Sequence, residues 1–358
     1  MTAQDLHTRP PQDREGRTRH LSLREICADF ERREACLARR AAAAGLSRRE
    51  FLRLLAAGAA AATVASARPR GARAAEAAPK SRVVLVTHPE VLVKEYRVNP
   101  PIILQMLDRA VAELTGKRTE AEAWQAIGRE DDFVAIKHNS IGAPTLHSHT
   151  EINDAVAARL VANAKVKPDR ILRVDREIPP PYNDLSPPFT LPSRNLKTHL
   201  RRLYTDQATA IVNVAVLKAH FGEGLSEAMK NHLGSVNNPA SFHGWEPERL
   251  PRSLPELNAL EPLRRKTRLV IIDAIRPLFA GGPADNPDYR WDYRGLIVAT
   301  DLVAASAVGL RILEEKRAAV RGKEWPMTAA RQMLAYAQSI GLGNADPDRL
   351  DLVRANMG

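Results

Sequence analysis

The sequence predicts an α/β fold in which helices flank a mainly parallel sheet. Short apolar runs alternate with longer segments of helical periodicity, which is the order expected of repeated strand and helix units. The apolar runs are nearly continuous rather than alternating, as is typical of strands buried on both faces of a sheet. A hydrophobic content of 44% in 358 residues is enough for a substantial core, so the composition is that of a folded chain.

The strands and helices follow one another in a regular order. The apolar runs that predict strands are 82–88, 133–138, 171–175, 210–220, 268–273 and 295–301. The helical stretches are 100–115, 151–164, 225–236, 302–317 and 327–340. This order predicts a three-layer, Rossmann-like domain over 75–317, followed by a helical C-terminal tail over 318–358.

Two segments interrupt this alternation. The segment 178–193 contains too many prolines for a helix or a central strand, so we expect an extended surface excursion there. The segment 279–295 has the glycine, proline and aspartate of a long loop, and it concentrates Tyr289, Trp291 and Tyr293. The second segment is either an ordered lid or subunit contact, or a disordered excursion.

Residues 1–74 contain an export signal. Ser47, Arg48, Arg49 and Phe51 match the twin-arginine pattern, and a weakly apolar run rich in alanine follows over 54–67. That run is shorter than the roughly 20 residues of a membrane span, so we expect no stable membrane anchor. The pattern predicts recognition by the twin-arginine translocation machinery and a periplasmic or other extracytoplasmic location. The alternative is a basic helix followed by an alanine-rich linker.

The charge and the cysteines are concentrated in the same N-terminal region. Residues 1–74 hold 15 of the 53 lysines and arginines, so the formal charge of +11 gives no reason to expect nucleic-acid binding by the rest of the chain. Small residues permit cleavage after Ala67 or Ala74, and Cys27 and Cys36 precede both positions. A chain cleaved there has no cysteine, which excludes thiolate nucleophiles, cysteine zinc sites and cysteine-ligated iron–sulfur clusters.

Polar residues directly follow the predicted strands, at the edge where open α/β sheets bind ligands. These residues are His88, Lys137, His138, Asn139, Asp175, Lys218, His220, Asp273 and Asp301. Their repeated occurrence favours a ligand site at one edge of the sheet. The alternatives are ordinary solvent-facing strand ends, or an internal network of ion pairs that specifies the fold.

The stretch 216–235 holds the densest group of such residues. Lys218 and His220 stand two apart on a strand and therefore share a face. Ser226 is a plausible N-cap, so the turn at 222–224 is expected to present backbone N–H groups to an anion at a helix N-terminus. Neither a P-loop nor a dinucleotide-binding glycine pattern is present in the stretch, so nucleotide binding has little support.

Helical periodicity separates the side chains after Ser226 into two groups. Lys230 and Asn231 lie off the apolar stripe and are expected to bind a ligand. His232 borders the stripe, so it is expected to pack in the interior.

The loop before the helix at 151–164 contains the histidines of a candidate metal site. His147 and His149 stand two apart and share a face in an extended segment; with His138 they provide three imidazoles for a divalent metal such as zinc. Alternatively, Ser148 or Thr150 caps the following helix, and the histidines are ordinary loop residues.

Four segments, VAIKHN, VLKAHFGEGLSEAMKNHLG, LVIIDAI and GLIVATDLVAASAVG, resemble the bacterial and archaeal family named domain of unknown function 362. The resemblance spans roughly 82–317, and its most specific part is Lys-x-His followed by Lys-Asn-x-x-Gly. The family's recurring positions correspond to Lys137, Asn139, Lys218, His220, Lys230, Asn231, Gly234, Asp273 and Asp301. The resemblance implies an α/β fold and no agreed reaction. Some members carry a ferredoxin-like cluster domain, which the absence of cysteines after Cys36 argues against here.

Two functions are expected from these observations. The first is an exported enzyme or binding protein for an anionic small molecule, in which Lys218 and Lys230 bind the anion and His220 acts as acid or base. Asp273 or Asp301 then orients a base or binds a metal. The second is a non-catalytic accessory or cofactor-carrier protein for a periplasmic redox system, with a divalent metal as one candidate cofactor.

Overall fold

The computed structural model describes residues 80–94, 96–220, 224–242, 250–282 and 285–358. The predicted export signal, its cleavage positions and both cysteines lie outside the described residues. All described residues belong to one compact unit, so the C-terminal tail is not a separate domain.

The strands are bounded as follows: β1 (Ser81–Thr87), β2 (Leu92–Lys94), β3 (Arg97–Val98), β4 (Val134–Lys137), β5 (Ile171–Val174), β6 (Phe189–Leu191), β7 (Leu196–Thr198), β8 (Ala210–His220), β9 (Gly224–Ser226), β10 (Thr267–Leu278), β11 (Gly295–Ala299) and β12 (Leu350–Asn356). The α-helices are α1 (Pro100–Thr115), α2 (Glu120–Gln125), α3 (Thr150–Ala162), α4 (Ala228–Asn231), α5 (Leu250–Ala259), α6 (Glu261–Lys266), α7 (Leu302–Arg321) and α8 (Thr328–Ser339). Five of the six predicted strands agree closely with these bounds, and the sixth, predicted over 268–273, continues to Leu278.

The main sheet is mixed but mostly parallel, which confirms the predicted fold class. Its strand order is β12, β1, β11, β10, β8, β4, β5, and β9 pairs with the end of β8. β11 runs antiparallel to both of its neighbours, β1 and β10. The remaining pairs along the order are parallel, and β9 pairs antiparallel with β8. The carboxyl end of β11 therefore lies at the opposite edge of the sheet from those of β4, β5 and β8.

Helices cover both faces of the sheet. On one face α1 packs on β1 and β11 and against α3, and Val84 and Val298 belong to the core between them. On the other face α7 packs on the central strands, where Gly309 lies against Leu217 and Ile297. Because neighbouring residues of a strand face opposite sides, the continuous apolar runs supply both cores.

The bounds of the long helices follow from local sequence. Proline occupies the first turn of α1, where its missing N–H costs nothing, and Gly116 ends the helix with φ of 65°. Asp301 begins α7 by accepting hydrogen bonds from the N–H groups of Val303 and Ala304. α2, with a capping box between Thr119 and Glu122, was not predicted.

The C-terminal tail is only partly helical. α8 forms close to the predicted place and packs against α5 and α7. The tail then returns to the sheet as β12, which pairs in parallel with β1 from Leu350 opposite Ser81 to Asn356 opposite Thr87. The helical part of the predicted tail is confirmed by α8, but the seven residues of β12 form a strand, because the exposed edge of β1 provides pairing partners that the local pattern does not reveal.

No helix in the described ranges is long and apolar enough to cross a membrane.

Candidate functional site

A cavity of about 270 Å³ lies at the carboxyl ends of β4, β5 and β8. Its lining includes the side chains of Asn139, Asp175, Arg176, Lys218, His220, Ser226, Lys230 and Asn231. Five of the sequence-predicted site residues are thus brought together: Asn139, Lys218, His220, Lys230 and Asn231. The cavity has the position expected of ligand sites in open α/β sheets.

Asp175, which lines this cavity, forms a buried ion pair with Lys137. Lys137, at the end of β4, is fully buried, and its Nζ lies 2.6 Å from Asp175 Oδ1. Burial lowers the pKa of Lys137, against the attraction of Asp175. Burial alone would raise the pKa of Asp175, but Lys137 and the hydroxyl and N–H of Ser140 hold it below the usual value. The pair is charged, because each partner stabilises the ionised form of the other.

Asn231 connects this ion pair to the centre of the sheet. Its Oδ1 accepts from Lys137 Nζ at 3.0 Å, and its Nδ2 donates to the backbone carbonyl of Lys137 and to Asn213 Oδ1. Asn213 in turn lies 3.2 Å from His232 Nε2, whose Nδ1 is 2.7 Å from Asn258 Oδ1. Burial lowers the pKa of His232 to about 4, so this histidine is neutral and interior, as the sequence predicts.

Gly234 makes room for the ion pair. A Cβ at this position would lie 2.5 Å from Lys137 Cε, 2.7 Å from Lys137 Nζ and 3.1 Å from Asp175 Oδ1. The close approach of the backbone therefore requires glycine. This contact gives a physical reason for the glycine in the Lys-Asn-x-x-Gly segment.

Lys218 places a buried ammonium group at the cavity. The side chain is 1% exposed, and its Nζ donates to the carbonyl of Ile141 at 2.8 Å and to Asn139 Oδ1 at 3.3 Å. Burial and the positive charge of Lys230 together lower the pKa of Lys218 to about 8, against the attraction of Asp175 and Asp285. Lys218 and Lys230 line the same cavity.

The backbone between these lysines differs from the predicted helix. Ser226 ends β9, which pairs with β8, and α4 begins only at Ala228. The predicted N-cap at Ser226 and the predicted anion site at a helix N-terminus are wrong. Helical periodicity assigns Leu225 and Ser226 to the first turn of a helix, but they pair with β8 as a strand. α4 has only four residues, so it does not provide the helix N-terminus that the sequence predicts. Lys230 and His220 line the cavity.

A larger cleft of about 820 Å³ adjoins the cavity. The charged and titratable residues along it are His138, Arg173, Asp175, Arg176, Glu177 and Arg201. Asp175 forms its ion pair with Lys137, and Arg173 forms one with Asp154 at 3.0 Å. His138, predicted as a metal ligand, lines this cleft. Its pKa is lowered by burial and by the neighbouring Lys137.

Asp273 lies in the interior of β10, away from the cavity, where it forms a second buried ion pair. Its Oδ2 accepts from the backbone N–H and from Nδ1 of His149, at 2.9 and 2.6 Å. His149 Nε2 lies 3.1 Å from the carbonyl of Tyr96, so both ring nitrogens have an acceptor. Burial opposes the charge on His149, but Asp273 outweighs it and raises the pKa of His149. The ion pair connects the residue before α3 to β10. Such a contact agrees with the alternative that some strand-end residues form an internal network of ion pairs.

The three histidines of the predicted metal site do not form a metal-binding group. His149 is paired with Asp273, and its ring centroid is 5.9 Å from that of His147, whose Nδ1 is 2.7 Å from the carbonyl of Ser148. Within the described ranges no group of three or more His, Cys, Asp or Glu could hold a metal ion. Ser148 does not cap α3 either. Its Oγ accepts a hydrogen bond from the N–H of Asn139 and donates one to the carbonyl of Asn139.

Asp301 lies at the other edge of the sheet. Besides capping α7, its Oδ2 accepts from Ser81 Oγ at 2.6 Å and from Asn344 N at 2.9 Å. Ser81 begins β1, so this is the edge at which the parallel strands start. The prediction that Asp301 binds a ligand assumed that the strand before it runs parallel to the others. Because β11 is antiparallel, Asp301 lies at the opposite edge from the cavity, where it caps α7 and binds Ser81 and Asn344.

Residues 189–311 match the model of the family described as domain of unknown function, DUF362. This segment is therefore similar to the DUF362 family. The match is shorter than the resemblance predicted over 82–317, and it confirms the family. No curated protein and no solved structure matched the chain.

The DUF362 segment carries part of the site. Lys218, His220, Lys230, Asn231 and Gly234 lie inside it. The other wall of the cavity comes from the loops after β4 and β5, which precede the DUF362 segment and supply Asn139, Asp175 and Arg176.

Sequence reasoning missed several residues that shape the site. Asp175 was recognised only as a strand end, although it directly follows β5 as Lys137 ends β4. Asn213 carried a detectable signal, because it is a polar residue inside an otherwise apolar central strand. Arg176 and the carbonyl of Ile141 carried none, since loop residues are placed only by tertiary folding.

Proposed function

We propose that this protein binds a small oxyanion, a phosphate or a carboxylate, in the cavity at the carboxyl ends of β4, β5 and β8. The observation that carries the proposal is the buried ammonium group of Lys218. An ammonium has three N–H donors, and two are directed to Ile141 O and Asn139 Oδ1. Within the described residues the third N–H has no acceptor, so it can be donated to a ligand. A buried cation is costly unless it is paired, and a bound anion supplies the pairing.

The charges around the cavity support the same conclusion. Arg176, Lys218 and Lys230 line it, whereas Asp175 is the one lining carboxylate among the described residues and is already paired with Lys137. A concave surface with an excess of one charge concentrates ligands of the opposite charge. His220 adds an imidazole donor or acceptor beside the lysines.

Isothermal titration calorimetry of the full-length protein with phosphate and with acetate tests the proposal. Wild-type protein should bind at least one of them, and Lys218→Gln and Lys230→Gln should each weaken binding about tenfold or more. Lys117→Gln, an exposed lysine after α1, is the matched control and should bind as wild type. Lys230 is only partly buried, so its variant tests the site even if Lys218→Gln folds poorly.

Two results would overturn this function. One is a wild-type protein that binds neither phosphate nor acetate. The other is unchanged affinity in both lysine variants, with melting temperatures showing that they are folded.

We further propose that the chain is exported folded by the twin-arginine pathway. Ser47, Arg48, Arg49 and Phe51, followed by the alanine-rich run, support this location. Replacing Arg48 and Arg49 together by lysine should retain the protein in the cytoplasm, as cell fractionation and immunoblotting would show. Lysine at Arg17 and Arg19 is the matched control, because it changes the same residue type outside the motif. Continued export of the Arg48/Arg49 variant refutes the assignment.

A further inference from the structure

The 820 Å³ cleft continues the oxyanion cavity. The two spaces share part of their lining, namely Ile141, Asp175, Arg176, Leu233, Gly234 and Pro239. Arg176 is exposed and faces both spaces. A ligand bound by Lys218 and Lys230 can therefore extend past Arg176 without leaving the protein surface.

The volumes indicate that the cavity receives only one end of the ligand. Small-molecule sites usually measure about 300 to 1,000 Å³. The inner cavity, at 270 Å³, is below that range, and the adjoining cleft, at 820 Å³, is within it. A phosphate or carboxylate group fits the inner space, and the remainder of a larger molecule occupies the outer one.

The outer cleft has its own cationic group beyond the oxyanion cavity. Arg201 lines the cleft, and its guanidinium donates at 2.9 Å to the backbone carbonyl of Asn183. A guanidinium has five N–H donors, and among the described residues only the carbonyl of Asn183 accepts from that of Arg201, so the others can be donated to a planar anionic partner. Among the described residues, the carboxylates that line the cleft are Asp175, which is paired with Lys137, and the exposed Glu177. The cleft is therefore suited to a second anionic group.

We propose that the ligand is an elongated molecule with two separated anionic groups, one bound by Lys218 and Lys230 and the other by Arg201. This inference rests on the proposed oxyanion site and names the class of ligand that occupies it. Phosphates and carboxylates share the chemistry that these cations recognise, so probes of both kinds are needed.

The test compares short and long probes by calorimetry on the full-length protein. The pairs are phosphate with tripolyphosphate, and acetate with adipate. For the pair that matches the natural chemistry, wild type should bind the long probe about tenfold or more tightly than the short one. Arg201→Gln should remove most of that advantage and leave the affinity for the short probe unchanged.

Arg202→Gln is the matched control. Arg202 is the next residue, is exposed and pairs with Asp206 at 2.8 Å, and it does not line the cleft. It should leave both affinities unchanged, which separates a site effect from a general loss of charge.

The outcomes distinguish the two proposals. If wild type binds a short probe but shows no advantage for the long one, or if Arg201→Gln keeps the advantage, the elongated-ligand inference is overturned and the oxyanion site stands. If wild type binds none of the four probes, the oxyanion site is overturned, and the inference with it.

Discussion

Glu227 should make the stability of this protein depend on pH near neutrality. The residue lies between β9 and α4, is 2% exposed, and its Oε1 has no hydrogen-bond partner within the described structure. Ser306 Oγ is 2.5 Å from both Glu227 Oε2 and the carbonyl of Leu302. A serine hydroxyl has one hydrogen, so both contacts are hydrogen bonds only when Glu227 is protonated and donates the second.

The size of the effect follows from the pKa. Burial raises the pKa of Glu227 from 4.5 to about 7, although hydrogen bonds from Ser306 and the N–H groups of Ala228 and Met229 act in the opposite sense. A shift of about 2.5 pH units corresponds to roughly 3 kcal/mol. Because the folded-state pKa is the higher one, the contribution is fully present below about pH 4.5 and is lost as the pH rises through 7.

Glu227→Gln removes this titration and keeps the shape of the side chain. The free energy of unfolding, measured by urea denaturation from about pH 4.5 to 8.5, should rise in the variant relative to wild type by roughly 3 kcal/mol across that range. Subtracting wild type from variant at each pH cancels the other titrating groups. Glu130→Gln, on the surface, controls for the substitution itself. A difference that changes by less than about 1 kcal/mol would show that Glu227 is not held protonated.

Further predictions concern the buried ion pair and the oxyanion cavity. Gly234→Ala should destabilise the protein by about 1 to 3 kcal/mol in urea denaturation, because its Cβ displaces Lys137; wild-type stability would contradict the close approach. Lys137→Met and Asp175→Asn should each cost about 3 to 5 kcal/mol, and the double variant less than their sum; strict additivity would refute their coupling. Binding of sulfate, whose charge is constant, should weaken as the pH rises through 8, because Lys218 with its pKa of about 8 then loses its proton; a constant affinity from pH 7 to 9.5 would exclude Lys218 as the anion-binding cation.

Most strands and the long helices were predictable because their signals are local. The run 210–220 forms β8 over the predicted residues, and α1 has its predicted bounds at Pro100 and Thr115. In both segments a continuous apolar pattern and simple stop signals agree with the environment that the fold provides. The stretch 225–236 failed because its residues fit a helix by periodicity, whereas β8 offers Leu225 and Ser226 a strand partner.

The candidate site was predictable in its general place and not in its pairings. Lys218 and His220 share a cavity, as two residues at strand spacing should. Asp273 and Asp301 follow apolar runs in the same way, yet one is buried against His149 and the other caps α7 at the opposite edge. A polar residue after a strand signals the end of apolar burial, and it carries no information about strand direction.

The sequence by itself determined the fold class, the resemblance of its central segment to the DUF362 family and the concentration of charged residues after β4 and β8, since these are properties of adjacent residues. Only the tertiary structure decided that β11 is antiparallel, that β12 pairs with the edge of β1, and that Lys137 forms an ion pair with Asp175. These outcomes depend on which strands become neighbours. Contacts between residues distant in sequence, such as Lys137 and Asn231, form only when the complete chain has packed.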